Sequence, residues 1–158
     1  MAIYQLKTTQ NLPISMQEAW DFMSSPYNLG KITPSEMGFE ITNGILPTDK
    51  MYAGQIISYN VRPIAGIAME WVTEITHVEN LKYFVDEQRF GPYALWHHQH
   101  HLKEIEGGVQ MDDLLHYKMP FGPLGQIMNT LVVKQKLKQI FDYRFEKLVA
   151  LFGPFEKR

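Results

Sequence analysis

The chain has 158 residues, enough to bury a substantial core and too few for two full-size domains, so one domain is expected over 1–158. Hydrophobic residues at 45% against 20% charged exclude a disordered chain, and a net charge of −2 offers no basic stripe for nucleic acid. With no cysteine there is no disulfide framework, thiolate zinc site or cysteine nucleophile. The opening MAIYQLKTTQNLPIS lacks the pattern of a secretion signal, and no apolar run is long enough to span a bilayer. The expectation is a soluble cytoplasmic protein without stable membrane insertion.

Tyr4, Leu6 and Thr8 alternate with polar neighbours up to Leu12-Pro13, which predicts a first strand. Ser15 stands three residues before Glu18, the spacing of a capping box. Ala19, Trp20, Phe22 and Met23 then supply an apolar helical face that Ser24-Ser25-Pro26 ends. A second short helix is predicted over 28–32, and Met37, Phe39 and Ile41 alternate as another strand. From Gln55 the pattern turns to period two. Strands are predicted near 55–62, 67–78, 81–90, 94–105 and 109–119, with turns at 63–66, Glu79-Asn80, Gly91-Pro92 and Gly107-Gly108. Tight turns between neighbours make the sheet antiparallel.

After Pro120-Phe121-Gly122-Pro123, one long helix is predicted over 124–152. Its first apolar stripe (Leu124, Ile127, Met128, Leu131) is out of phase with its second (Leu137, Ile140, Phe141, Phe145, Leu148, Phe152). A bend or a loosely wound turn near 132–135 reconciles the two. Arg144 falls inside the second stripe, either buried with a partner or snorkelling to solvent, and snorkelling is the expectation. Strands and helices are segregated along the chain, which makes the fold class α+β.

Register arithmetic defines an interior. A two-residue turn at Gly107-Gly108 sets Leu102 against Asp113, His100 against Leu115, His98 against Tyr117 and Trp96 against Met119. A two-residue turn at Glu79-Asn80 sets Ile75 against Phe84, Thr73 against Asp86 and Trp71 against Gln88. Between these hairpins, a three-residue loop at Gly91-Pro92-Tyr93 faces Asp86 with His98, Phe84 with His100 and Gln88 with Trp96. A two-residue loop would bring His97 to that face instead. The three-residue loop is preferred because a slip by one residue would bury Glu70, Glu74, Lys82, Glu87 and Arg89.

The predicted concave face is therefore apolar, crossed by a polar row of Thr73, Asp86, His98 and Tyr117. His100 lies one step along, between Phe84 and Leu115. A buried Asp86 needs a partner, and His98 opposite it is the natural one, with its pKa raised by the pair.

The run His97-His98-Gln99-His100-His101 invites a metal reading, with His98 and His100 on one face and Asp86 or Asp113 as the carboxylate. The same residues also make an ordinary hydrogen-bonded polar patch, and no metal or other cofactor is assigned. His97 and His101 are expected to point outward. A catalytic reading makes His98 a general base poised by Asp86, with Tyr117 or Arg144 stabilising an enolate. No nucleophile elbow, phosphate loop or dinucleotide fingerprint accompanies it.

Three stretches carry a resemblance. The first holds Phe84, Asp86, Gln88, Gly91-Pro92-Tyr93, Trp96, His98, His100 and Leu102. The second reads G-G-x-x-M-x-D-x-L-x-Y-x-x-P from Gly107 to Pro120, and the third F-x-Y-R from Phe141 to Arg144. With L-P-x-S-x-x-x-x-W from Leu12 to Trp20, the whole chain resembles the START-like (SRPBCC) superfamily, in particular its polyketide cyclase/dehydrase-type ligand-binding branch. The resemblance implies the helix-grip (birch-pollen-allergen-like) fold, a seven-stranded antiparallel sheet wrapped around a long C-terminal helix and a hydrophobic cavity.

The function expected is binding or carrying a hydrophobic small molecule, whether a lipid, polyketide, quinone or aromatic compound. Trp71, Phe84, Trp96, Leu115, Met119 and Tyr59 would line the cavity. Asp86, His98, His100 and Tyr117 would meet the ligand's polar group, with Thr73, Gln88 and Arg144 beside them. The helix from Leu124 and the loop at Gly91-Pro92 are the expected gates. The alternatives are an aromatase/cyclase- or dehydratase-type enzyme using His98, Asp86 and Tyr117, and a protein-interaction module with a vestigial cavity.

Overall fold

In the computed structural model, which describes residues 2–62 and 66–156, the first helix starts at the predicted capping box. Ser15 Oγ accepts from the Glu18 backbone N–H at 3.2 Å, and the Ser15 N–H donates back to Glu18 Oε2 at 3.0 Å. Helix α1 (Met16–Met23) buries Ala19, Trp20 and Met23. Helix α2 (Pro26–Lys31) begins earlier than predicted, because Pro26 occupies a first-turn position where its missing N–H costs nothing. The strand expected around Met37 to Ile41 is mostly absent. Ser35–Met37 forms a 3-10 turn ended by Gly38 at φ +56°, and only Glu40–Ile41 pairs as β2.

β1 (Tyr4–Leu12), β3 (Gln55–Val61), β4 (Met69–Glu79), β5 (Tyr83–Phe90), β6 (Leu95–Ile105) and β7 (Gly108–Lys118) join β2 in one antiparallel sheet. Its order is β1-β7-β6-β5-β4-β3-β2. The predicted turn at 63–66 falls, apart from Gly66, outside the described residues. Alternation is cleanest on β7, where Val109, Met111, Asp113, Leu115 and Tyr117 are buried and their neighbours are not.

The β5–β6 register is the predicted one, with Phe84 opposite His100 and Asp86 opposite His98. Pairing stops at Glu87–His97, so Gln88 does not face Trp96 in the ladder.

The other two hairpins are displaced. The β6–β7 turn is Glu106-Gly107, with Gly108 already in the strand, and the pairs are Trp96–Tyr117, His98–Leu115 and His100–Asp113. Gly107 takes the left-handed conformation (φ +83°). Gly108 answers a different need: a Cβ there would stand 2.0 Å from the Leu12 carbonyl oxygen at the end of β1. The β4–β5 connection is three residues, Asn80 to Lys82, with Leu81 at φ +62° and irregularities between Val72/Thr73 and Ile75/His77. Thr73 therefore faces Gln88, and Ile75 faces Asp86. The β6–β7 pairing moves by two positions. The β4–β5 pairing moves by three beside its turn, where Val78 faces Phe84, and by two at Ile75 and Thr73 beyond the irregularity, which returns these residues to their predicted face.

The C-terminal helix carries the predicted irregularity as a π turn, Asn129–Val133, between α3 (Gly122–Met128) and α4 (Lys134–Phe152). It re-phases the helix so that Leu137, Phe141, Arg144 and Leu148 face the sheet. The first apolar stripe does not: Leu124, Ile127 and Leu131 remain exposed, as does Phe145 from the second stripe.

Candidate functional site

Three apolar clusters pack against the concave face of the sheet. Met23, Ile32 and Phe84 belong to the first, Trp71, Tyr93 and Phe141 to the second, and Ile57 and Ile75 to the third. All of these residues line one cavity of about 140 Å³. Trp71 and Trp96 meet edge to face with ring centroids 5.1 Å apart, and Tyr93 lies against both.

Asp86, His98, His100 and Arg144 give this apolar wall its polar part. His98 and His100 stand two residues apart on β6, with their rings 3.9 Å between centroids. His98 Nε2 donates to Asp113 Oδ1 at 3.0 Å, while its Nδ1 lies 3.5 Å from Asp86 Oδ2. His100 Nε2 donates to Asp86 Oδ2 at 2.8 Å. Its Nδ1 sits 2.8 Å from Asp113 Oδ1 with the N–H direction off that line, so the contact is one of charges rather than an aligned hydrogen bond. Trp96 Nε1 donates to the other Asp86 oxygen at 3.1 Å. Each carboxylate thus reaches its diagonal neighbours, which the direct pairing predicted for Asp86 and His98 does not capture.

Arg144 is buried, 7% exposed, which overturns the snorkelling expectation. Its Nη1 is 3.5 Å from Asp113 Oδ1, and the guanidinium carbon lies 5.0 Å from the centre of the Phe141 ring. Nε and Nη1 find no aligned hydrogen-bond acceptor.

Burial opposes ionisation of both carboxylates, but the histidines outweigh it and hold Asp86 low; with Arg144 added, Asp113 is held well below the usual range. The histidines split. Burial, together with the charge on His100, pushes His98 down, the reverse of the predicted direction. His100 resists the same burial because Asp113 and Asp86 raise it. A proton on His100, together with the Arg144 cation, would balance the two carboxylates.

Of the predicted site residues, Trp71, Thr73, Phe84, Asp86, Trp96, His98, His100 and Arg144 line the cavity, as does Tyr59. Thr73 bonds the Tyr59 hydroxyl at 3.1 Å. Four others do different work. Gln88 holds the 91–94 loop through the Tyr93 backbone, at 2.7 Å to its carbonyl and 3.1 Å from its N–H. Tyr117 donates to Asn129 Oδ1 of the π turn at 2.9 Å, away from the histidines. Leu115 is fully buried in the core, and Met119 packs on Gly125 of α3. His97 turns outward, as expected, and reaches Glu87 at 2.8 Å.

Sequence reasoning named Asp113 only as an alternative carboxylate for a metal and did not count it among the ligand-binding residues, although its inward parity on β7 was available. It also missed Phe141 and the residues of α2, for which no sequence signal indicated the approach to the sheet.

No family model and no curated protein matches the chain. Solved structures do. Major latex-like protein 151 from Panax ginseng superposes with a TM-score of 0.68 at 12% identity, covering 98% of this chain and 100% of that one. Protein CV1439 from Chromobacterium violaceum gives 0.68 at 12%, covering 96% and 99%. Ara h 8.0201 gives 0.60 at 15%, covering 94% and 99%. The fold is the helix-grip fold that the resemblance implied. No helix among the described residues is long and apolar enough to cross a membrane.

Proposed function

We propose that the chain binds and carries a small hydrophobic compound, an aromatic one foremost, in the cavity beneath α4. The observation that supports this is an aromatic-walled space with a buried polar cluster on one side. Its size of about 140 Å³ suits one ring, since a dry cavity of about 150 Å³ takes benzene. A lipid, polyketide or isoprenoid quinone would need α2 or the 91–94 loop to give way. Asp86, His98, His100 and the unsatisfied guanidinium of Arg144 would meet a hydroxyl, carbonyl or carboxyl on the ring.

Trp71 and Trp96 are reporters already in place. Titration with phenols and benzoates should change tryptophan emission saturably, with Arg144→Met weakening the acidic members most. Emission that follows only free ligand concentration, together with a bare chain by native mass spectrometry of protein from its own host, would sink the proposal.

One observation favours an enzymatic alternative. His98, held by Asp113 and pushed toward its neutral form, stands next to His100, which is pushed toward its protonated form, a pairing of base and acid of the kind cyclisation or dehydration requires. His98→Ala separates the two readings: a carrier keeps binding at reduced affinity, whereas an enzyme binds and no longer turns over.

A further inference from the structure

We propose that Asp86, His98 and His100 form a binding site for a divalent transition-metal ion on the cavity wall. One donor atom from each lies within 4.8 Å of the other two. Asp86 Oδ2 is 2.8 Å from His100 Nε2 and 3.5 Å from His98 Nδ1. Ligands held about 2.1 Å from a metal stand about 3.0 Å apart at right angles and about 3.4 Å apart at the tetrahedral angle. The observed spacings bracket those values, so small side-chain rotations admit the ion where His100 and Asp86 now share a proton.

The surrounding groups are arranged as a metal's supporting shell. Asp113 Oδ1 faces the far nitrogen of each ring, His98 Nε2 at 3.0 Å and His100 Nδ1 at 2.8 Å. With an ion bound, Asp113 would take the N–H of the far nitrogens, and His100 Nε2 would give up the proton it now donates to Asp86, leaving His98 Nδ1 and His100 Nε2 to supply lone pairs. Trp96 fixes the second oxygen of Asp86, and Arg144 offsets the charge of Asp113. All three donors also line the cavity, so further coordination positions open onto the ligand space. Two imidazoles and one carboxylate favour zinc, iron(II) or cobalt over magnesium or calcium. Three protein donors beside an open position compose a centre that accepts a substrate or ligand atom rather than a closed structural site.

The site is tested without any organic ligand, so its failure leaves the ring-binding proposal standing. Chelator-stripped protein is titrated with Co²⁺ and with Zn²⁺, then desalted, and the retained metal is counted. One equivalent is expected, with Co²⁺ quenching the emission of Trp96 and developing ligand-field absorption. Asp86→Asn and His98→Gln should weaken binding at least ~10-fold, and Asp113→Asn by about 10- to 100-fold with the stoichiometry kept. The outer-face double variant His97→Gln/His101→Gln should bind like wild type. Should an inner variant fail to fold by circular dichroism, wild-type retention and tryptophan quenching decide. Absence of retained metal in wild type overturns the proposal, and so does binding that survives Asp86→Asn but is lost in the outer-face variant.

Discussion

Asparagine in place of Asp113 keeps the side-chain volume and removes one of the two negative charges that face His98, His100 and Arg144. The residue is 2% exposed and touches His98, His100 and Arg144. At 3.5 Å from Asp113, the Arg144 guanidinium gains about 5 kcal/mol of gross attraction at an effective dielectric of about 20. Taking away one member of such a buried pair costs about 3–5 kcal/mol, because the partner stays desolvated. The amide oxygen can still accept from His98 Nε2, which sets the expected loss near the lower end, about 3 kcal/mol. For a chain of this length that is a fall in Tm of about 6–12 °C. Urea unfolding at pH 7, followed by tryptophan emission, measures it. Adding Arg144→Met should return about half of the loss, a coupling within the usual range for residues in contact. A loss under ~1 kcal/mol, or strict additivity in the double variant, would refute the reading of these residues as mutually compensating charges.

The two histidines should titrate on opposite sides of the ordinary 6.5. Native His98 takes up its proton later than the unfolded chain does, so it loses stability as pH falls through 6.5. Native His100 holds its proton longer, so its contribution is complete below 6.5 and is lost as pH rises through its native pKa. Two-dimensional NMR of the imidazole carbons checks this, and coincident titrations near 6.5 would contradict it. Gly108→Ala forces a Cβ against the Leu12 carbonyl and should cost about 3 kcal/mol or more, with the end of β1 freed in hydrogen exchange. Unchanged β1 protection would count against it. Trp71→Ala should cost about 3–5 kcal/mol and enlarge the cavity enough to admit two-ring compounds. If ring size selectivity is unaltered in that variant, Trp71 does not bound the ligand space.

The strands were legible because period-two alternation and turn residues act locally, and parity survives a slip of two. That is why Asp86, His98 and His100 were placed on the correct face even though two of three hairpin registers were displaced. What was not legible depended on distant contacts. Gly108 looks like a turn glycine until the carbonyl of Leu12 arrives beside it. Tyr117 has the parity of a site residue, yet Asn129 claims its hydroxyl. Arg144 looked like a snorkelling residue because the carboxylate that pairs with it lies on β7. A bend or loosely wound turn near 132–135 was expected because two out-of-phase apolar stripes cannot share one regular helix, and a π turn stands a little earlier, at Asn129–Val133. The exposure of the first stripe was not foreseen, since nothing local states which stripe meets the sheet.

β1 and β7 lie side by side, yet their paired residues Tyr4 and Tyr117 stand far apart in sequence. On the ribosome, strands β3 to β7 can pair through successive hairpins, while β1 has no partner until β7 has emerged. Closing so long a loop is slow, and the waiting segment is free to pair with β7 of another copy. Its composition suits the delay: Gln5, Lys7, Thr8, Thr9, Gln10 and Asn11 leave only Tyr4, Leu6 and Leu12 as apolar residues. The strand that completes the sheet last is thus one of the least adhesive.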